Sequence, residues 1–522
     1  MIHHHVAVRH VSLALFILLL TQSRSEATSA GGTLPRDDDI VVVPGSSLPD
    51  FLGRVNSDLG AFKYDPASLS FVPIPTQVDE RVNHVFSAGT SLEVVENIYD
   101  VFHEDDGLLD ADDEVAFLFG DGGPQAPSSI AWPVGAEPER FDITVTDPRP
   151  DSNTVRWVYL FSGANLPRSS TQYVSWSGTR NSSISTSLFS LDFSDRWLLT
   201  GLRVLAPCGT AADLIDRLKG RGGITPQGGE TEENWNDASS FMGGIVGPVR
   251  AIRYVQGAAS GVNTVHHDVV SRSRWQRTVN LRVHPINEVW LYFDLLPNAG
   301  ATLFTPATPS GMPVDGVRDP AAPTALQPWT LLRSGLGGYV TINTIPPSPY
   351  YRSAESYFLD DASYNDAPVT DPNYSDEDNS AYGNNGVTLK ALTGTETATI
   401  PLFMKFYPLC SNVGDSNLGS SYQQLDSYPL ALSSLPTWTV GGPVRTLQAR
   451  PKGSDVVLSW EALAAVTSYK IYVSPFADLA HPSWGTLAQV TATHYCDHGA
   501  EADAQNRYYS VVAVTPAGEG PW

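Results

Sequence analysis

The sequence is short of sulfur and of positive charge. It has three cysteines and four methionines among 522 residues, and 32 basic residues stand against 56 acidic ones. So few cysteines exclude a disulfide-stapled scaffold, and the core must be held by apolar packing. A net charge of −24 repels phosphate backbones and argues against nucleic acid as a partner. The acidic excess instead favours solubility and divalent cations.

Several motifs that carry chemistry are also missing. After the first thirty residues the sequence has no His-x-His or His-Glu-x-x-His spacing for zinc and no Gly-x-Ser-x-Gly turn for a serine nucleophile. The Gly-rich stretch 220–236 is not followed by Lys-Ser or Lys-Thr, so it is not a phosphate loop. Zinc hydrolases, serine hydrolases of that type and P-loop enzymes therefore have no support.

Residues 1–30 have the layout of a secretory signal peptide. Arg9 supplies a positive start, residues 11–20 an apolar segment, and residues 28–30 a small-residue cleavage site. The apolar segment is short for a membrane span, although an uncleaved anchor is the alternative. We expect a secreted protein, extracellular or at the cell surface, with no membrane span in the mature chain.

Short β-type runs separated by Gly, Pro, Asn and Asp follow from about residue 40 to residue 435. Residues 141–145 alternate apolar and polar positions, as half-buried strands do. One segment, 210–220, is predicted as a helix with Thr210 as N-cap and Gly220 as its stop. Otherwise long amphipathic helices do not intervene, which favours antiparallel sheets over βαβ units.

The predicted fold is therefore mainly β. A large antiparallel β-sandwich region spans 31–435, as one body or as two subdomains over about 40–170 and 171–435. Residues 436–443, rich in Pro and Gly, form a linker to a smaller module at 444–522.

The last module resembles fibronectin type III domains. Trp460 matches the core tryptophan of the second strand, Tyr469 or Tyr472 the aromatic of the third, and Tyr508 the tyrosine corner. The closing Ala-Gly-Glu-Gly-Pro-Trp at 517–522 matches the turn before the last strand. The resemblance implies a small β-sandwich whose last strand is missing, so a truncated reading frame is expected.

Three cysteines allow at most one bridge. Cys208 with Cys410 is the predicted pair, because Cys496 lies in the separate C-terminal module. Three unpaired buried thiols are the alternative.

An acidic loop around Gly107 has the spacing closest to a metal site. Calcium takes six to eight oxygens, which a loop supplies from alternate side chains, one carbonyl and a Gly turn. With Gly107 at the turn, Phe102 falls at the first position and cannot bind, so Asp100 or Asp105 is the substitute. The other predicted ligands are Glu104, Asp106, the Leu108 carbonyl, Asp110 and Asp113.

The flanks of this loop indicate strands, so it is not an EF-hand. We predict a structural calcium site in a hairpin-like aspartate loop, with a solvated acidic hairpin as the alternative. Residues 74–80 and 113–117, Ile-Pro-Thr-Gln-Val-Asp-Glu and Asp-Glu-Val-Ala-Phe, resemble an uncharacterised family of secreted bacterial β-rich proteins that carry such a loop. The resemblance implies no known activity. A second oxygen-rich stretch at 376–385 is predicted to be solvated.

Catalytic candidates are confined to one predicted sheet. His266 and His267 could line a polar face with Arg253, Tyr254 and His284. Adjacent residues of a strand point to opposite faces, so only one of the two histidines can join a given site. Arg and His on a concave sheet face are typical of mutarotase-like and lyase-like sugar enzymes, but also of any solvated strand.

Two functions remain open. The first is a secreted binding or structural protein of the adhesion or matrix type, stabilised by calcium, whose partner is an extracellular polysaccharide or a surface protein. The alternative is a secreted carbohydrate-active enzyme with a mutarotase- or lyase-like sandwich, because fibronectin modules often accompany polysaccharide-degrading domains.

Overall fold

The structure is a computed structural model, and its description covers most of the chain after residue 33. The predicted signal peptide, the oxygen-rich stretch through residue 380 and the last three residues lie outside it. The described residues are 34–127, 130–137, 139–224, 228–258, 261–297, 300–319, 324–363, 381–411, 414, 417–434, 438–439, 447–463, 466–475, 484–500, 507–515 and 518–519.

Strands dominate the described residues. The first fifteen are β1 Ile40–Pro44, β2 Leu59–Asp65, β3 Ser70–Pro73, β4 Gln77–Asp79, β5 Arg81–Phe86, β6 Val94–Tyr99, β7 Glu114–Leu118, β8 Glu139–Thr146, β9 Val155–Ser162, β10 Val174–Gly178, β11 Ser182–Thr186, β12 Phe189–Ser194, β13 Leu198–Val204, β14 Ile215–Ile224 and β15 Gly228–Glu230. Short 3-10 turns are Gly45–Ser47, Pro49–Phe51, Asn56–Asp58 and Phe119–Asp121.

Helix α1, Glu232–Ala238, precedes strands β16 Ser240–Val246, β17 Arg250–Gln256, β18 Val265–Ser271, β19 Arg274–Leu281, β20 Ile286–Leu295, β21 Thr302–Thr305, β22 Thr308–Pro313, β23 Trp329–Ser334, β24 Gly337–Thr344, β25 Ser353–Asp361, β26 Ala381–Leu392 and β27 Ile400–Leu409. Helix α2, Leu418–Ser427, precedes strands β28 Ala431–Ser434, β29 Trp438–Thr439, β30 Gln448–Lys452, β31 Asp455–Ser459, β32 Ser468–Ser474, β33 Gly485–Val490, β34 His494–Asp497, β35 Tyr508–Thr515 and β36 Gly518–Glu519.

The described strands pair antiparallel, which confirms the predicted fold class. Alternating apolar positions dictate this arrangement, because each strand then has one face to bury against another sheet. Within the described ranges, no helix has the length and apolarity needed to cross a membrane.

The N-terminal layers are sheet β1-β7-β4 and the six-stranded sheet β28-β8-β9-β2-β3, in which β29 also pairs with β8. Their shared core includes Phe51, Phe117, Ile143 and Leu160, all fully buried or nearly so. Strand β28 lies far along the chain from the predicted 40–170 subdomain, and β29 lies inside the predicted 436–443 linker. The chain therefore returns to close its first sheet.

The central layers are sheet β15-β14-β20-β26-β25, sheet β10-β11-β12-β13 and the nine-stranded sheet β16-β17-β18-β19-β27-β24-β23-β21-β22. One apolar cluster joins all three, with Leu191, Phe293 and Phe406 among its members. On the other side of the nine-stranded sheet, the β5-β6 hairpin covers one region through Phe86 and Ile98. Both faces of that sheet are thus covered at β17 and β18.

The helix predicted over 210–220 is wrong. Residues from Ile215 onward form strand β14, which pairs with β20. Lys219 is fully buried there, and its Nζ lies 2.7 Å from Asp294 Oδ2. Gly220 is needed because a Cβ at this position would lie 2.5 Å from Trp235 Cε3. Tertiary packing therefore overrides the local helical signal.

Cys208 and Cys410 form a disulfide, which confirms the predicted pair, and Cys496 is a free thiol. The bond links the loop after β13 to the end of β27. These two elements are 202 residues apart in sequence, so the bridge closes a large part of the central region.

The C-terminal residues form two small sheets, β30-β31-β34 and β33-β32-β35-β36. Trp460 and Tyr469 meet edge to face between them, with ring centroids 5.3 Å apart. Tyr508, the predicted tyrosine corner, is 40% exposed. The phenol of Tyr509 instead donates to Asp497 Oδ2 at 2.8 Å. The fibronectin type III assignment stays a prediction.

Candidate metal centre

The acidic loop runs between β6 and β7, and a buried carboxylate organises each of its ends. Asp100 accepts the backbone N–H of Phe102 and of Asp105, at 3.1 and 2.9 Å. Asp113 accepts the N–H of Arg81 at 2.9 Å and of Asp110 at 2.7 Å. Both carboxylates are at most 2% exposed. They act as anchors that bend the loop.

Gly107 provides the turn that the sequence predicted. Its φ of +77° lies in the left-handed region, which favours glycine. The Gly107 carbonyl accepts the N–H of Asn56 at 2.9 Å, and Asp106 Oδ1 accepts the N–H of Leu108 at 2.9 Å. The second half of the loop is therefore fastened to the N-terminal segment.

Asp105, Asp106 and Asp110 bring their carboxylates together. One oxygen from each lies within 4.8 Å of the other two. Two of these residues were predicted ligands, and Asp105 was the predicted substitute. Glu104 is exposed and lies outside this group. The Asp113 carboxylate accepts the two backbone hydrogen bonds at the base of the loop. Asp113 points into the fold, whereas the other three carboxylates converge, and the predicted ligand set as a whole stays a prediction.

The loop concentrates negative charge. Burial raises the pKa of Glu80, and the charges of Asp105, Asp113 and Asp100 raise it further, against a hydrogen bond from Asn56. The pKa of Asp110 is also raised, by slight desolvation and then by Asp106 and Asp105. A cation held among these carboxylates would relieve that repulsion.

The network behind the loop explains the Gln-Val-Asp-Glu segment at 77–80. Arg250 Nε donates to Asp79 Oδ2 at 2.8 Å, and its Nη2 donates to Glu114 Oε2 at 2.7 Å. Gln77 Oε1 accepts the backbone N–H of Arg250 at 2.9 Å. These buried residues join β4 and β7 to β17. Sequence reasoning missed them, because the partners are more than 130 positions apart.

The five catalytic candidates do not converge. Arg253 and His266 point from the nine-stranded sheet into the central core, whereas Tyr254 and His267 point to the side covered by the β5-β6 hairpin. His284 lies after β19 and is half-buried. The alternation that the sequence predicted is correct, but there is no shared cleft among these side chains.

The inward pair is packed in the interior. Arg253 Nη2 donates to the carbonyls of Arg180 and Asp195, at 3.2 and 3.0 Å, and its guanidinium lies 4.3 Å from the Phe193 ring centroid. Burial lowers the pKa of His266 to about 3. The imidazole of His266 stacks on the indole of Trp197. These are interior groups away from solvent.

The outward pair is also packed. Tyr254 stacks on His267 with ring centroids 4.9 Å apart, and Tyr99 of the hairpin approaches Tyr254 at 6.3 Å. Burial lowers the pKa of His267 to about 4, so it is neutral near physiological pH. His267 is therefore a neutral, half-buried ring in the contact between the sheet and the hairpin.

A polar pocket of about 220 Å³ lies where β1, β27 and α2 meet. Arg36 bonds Asp39 at 2.6 Å on one side, and Lys405 pairs with Asp426 on the other. Burial and the nearby Arg274 lower the pKa of Lys405 to about 8. No motif could have revealed this pocket, because its walls come from both ends of the large region.

These features define an antiparallel multi-sheet β protein with an acidic loop as its candidate metal centre. No family model matches the chain, and no curated protein matches it. Among solved structures it is similar to a copper-containing benzylamine oxidase from Hansenula polymorpha, at 8% identity and a TM-score of 0.25, over 69% of this chain and 80% of that one. A similarity this low transfers neither fold nor chemistry.

Proposed function

We propose that this chain is a calcium-stabilised binding or structural protein of the cell exterior, of the adhesion or matrix type. The observation that carries the proposal is the convergence of the Asp105, Asp106 and Asp110 carboxylates within 4.8 Å. Calcium accepts carboxylates, carbonyls and water in flexible geometry, which suits an exposed loop better than the strict octahedron of magnesium.

The ion would act as a clamp. The loop connects the β5-β6 hairpin, which covers β17 and β18, to strand β7 of the N-terminal layers. Bound calcium would neutralise the clustered charge and hold the hairpin in place. Since the unfolded chain cannot assemble this site, binding would stabilise the native state by mass action.

The partner we propose is an extracellular polysaccharide or a surface protein. The signal-peptide pattern of residues 1–30 supports an exterior location. The fibronectin type III resemblance of the C-terminal module supports an accessory binding role, and the Trp460–Tyr469 contact between its two sheets is compatible with it.

A binding role is also favoured over turnover at the predicted catalytic residues. Arg253 and His266 lie on one face of the sheet, and Tyr254 and His267 lie on the other. A general base and the groups that orient a sugar must contact the same part of the bound substrate. These four side chains are not arranged to do so.

Thermal unfolding of the whole chain in EDTA and in calcium chloride tests the proposal. At a calcium concentration one hundred times the dissociation constant, the native state should gain about 2.7 kcal/mol. Asp106→Asn should lose most of this gain, whereas Glu104→Gln, an exposed neighbour outside the carboxylate group, should keep it. An unfolding midpoint that calcium does not move would rule out the clamp.

The binding role needs a separate measurement. We expect a glycan array or a surface-protein binding assay to find retention without turnover. Degradation of a polysaccharide that His267→Ala abolishes, in a variant that retains the wild-type unfolding midpoint, would instead establish the enzyme.

A further inference from the structure

A second group of metal-ligating atoms lies in the C-terminal module, far in sequence from the acidic loop. Asp455 is the first residue of β31, Cys496 lies in β34, and His498 follows β34 directly. The two strands pair antiparallel with Val457 opposite Cys496. This register brings the start of β31 beside the end of β34, so the three side chains meet at one edge of the sheet.

The three ligand atoms are close to a tetrahedral spacing. Cys496 Sγ lies 3.7 Å from His498 Nδ1 and 3.7 Å from Asp455 Oδ2, and the last two atoms are 2.8 Å apart. A zinc ion with bonds of about 2.3 Å to sulfur and about 2.0 Å to nitrogen and oxygen spaces its ligands at roughly 3.3–3.6 Å. Shifts of about half an ångström would therefore complete one face of the tetrahedron.

The group is oriented yet accessible. Asp455 Oδ1 accepts the backbone N–H of Gly499 at 2.9 Å, which fixes the carboxylate and leaves Oδ2 turned toward the sulfur and the imidazole. The His498 side chain is 80% exposed and that of Asp455 is 27% exposed. An ion can enter from solvent, and its remaining position would face solvent.

We propose that Asp455, Cys496 and His498 form a site for a thiolate-binding divalent transition metal ion, Zn²⁺ in the first place, with an open fourth position. Sulfur and imidazole ligands select zinc-like ions, whereas calcium prefers oxygen alone, so this site and the acidic loop take different metals. The thiol loses its proton to solvent when the sulfur binds the ion. Nδ1 of His498 donates a hydrogen bond to Asp455 Oδ2 at 2.8 Å, so binding of the ion replaces this bond, and the neutral imidazole then carries its proton on Nε2 and binds through the Nδ1 lone pair. The bound ion would tie β31 to the end of β34.

Cobalt titration of the full chain tests the site. Co²⁺ should produce the near-ultraviolet thiolate charge-transfer band and the intense visible bands of tetrahedral coordination, and Zn²⁺ should abolish both. Cys208 and Cys410 are joined in the disulfide, so a thiolate band reports Cys496. An excess of calcium should leave the bands unchanged. Absence of the charge-transfer band in the wild type would overturn the proposal.

Variants distinguish a specific loss of metal binding from a loss of folding. Cys496→Ser should remove the charge-transfer band, and His498→Ala should weaken Co²⁺ binding at least tenfold. His494→Ala changes an exposed histidine of the same strand and should bind cobalt as the wild type does. Equal thermal midpoints in EDTA would show that the variants fold. A band that survives Cys496→Ser, or a His494→Ala loss equal to that of His498→Ala, would refute the assignment.

Discussion

The imidazole of His266 lies parallel to the indole of Trp197, with the ring centroids 5.6 Å apart and an interplanar angle of 1°. Neither ring nitrogen of His266 has a hydrogen-bond partner among the described residues, and the side chain is 2% exposed. His266, a predicted catalytic candidate, is therefore a neutral imidazole that packs in the core as an aromatic ring. Its main consequence concerns stability in acid.

We expect the free energy of unfolding to fall as the pH drops below 6.5. The pKa of His266 is lowered from 6.5 to about 3, and that of His267 from 6.5 to about 4. Below pH 6.5 these two histidines are therefore protonated in the unfolded chain while they are still neutral in the native chain. Each histidine should contribute about 1.4 kcal/mol per pH unit between its native and unfolded pKa. Denaturant titrations across this window measure the slope.

A pair of variants tests whether the buried histidines cause the slope of unfolding free energy against pH. His266→Leu should reduce the acid sensitivity, since the unfolded variant has one histidine fewer to protonate. His267→Leu, on the opposite face of the same strand, should reduce the acid sensitivity as well, because burial lowers the pKa of His267 to about 4. Equal slopes in wild type and His266→Leu would contradict the buried neutral imidazole.

Arg250 should be essential to stability. Its removal in Arg250→Ala leaves Asp79 and Glu114 next to each other without their shared cation, in surroundings where Asp79 is 1% exposed. Breaking a buried ion pair in this way costs about 3–5 kcal/mol. Lys390→Met, which breaks a partly exposed pair with Glu355, should cost about 0–1 kcal/mol. Chemical denaturation of both variants makes the comparison.

The effect of Asp110→Asn on the unfolding midpoint should have opposite signs in EDTA and in calcium. In EDTA the substitution removes a carboxylate whose pKa is raised by desolvation and by the charges of Asp106 and Asp105, so the variant should unfold at a higher temperature than the wild type. In calcium it lacks a ligand and should unfold at a lower one. Midpoints that shift in the same direction under both conditions would exclude this carboxylate as a ligand.

Gly220 should tolerate no side chain. An added Cβ would lie 2.5 Å from Trp235 Cε3 and 2.8 Å from Trp197 Cη2, between two rings that cannot both retreat. Overpacking of this kind costs about 1–3 kcal/mol. Gly335→Ala has open space at its Cβ and should be close to neutral. Unfolding free energies of the two variants test the contrast.

The features that the sequence determined are local ones. Strand alternation fixed the antiparallel β class, and it put His266 and His267 on opposite faces because neighbouring side chains of a strand diverge. Gly107 marked its turn because few other residues adopt a positive φ. The bridge between Cys208 and Cys410 followed from the placement of Cys496 in a separate module.

Only the tertiary structure decided which faces are buried and which carboxylates meet. Local propensity favoured a helix at 210–220, but pairing with β20 and the burial of Lys219 against Asp294 made it a strand. Asp113 turns inward and accepts two backbone N–H groups, whereas the carboxylates of Asp105, Asp106 and Asp110 converge, because the path of the backbone through the loop is not described by spacing alone. The partners of Arg250 and the edge shared by Asp455, Cys496 and His498 arise from contacts between distant segments, and a linear pattern carries no record of such contacts.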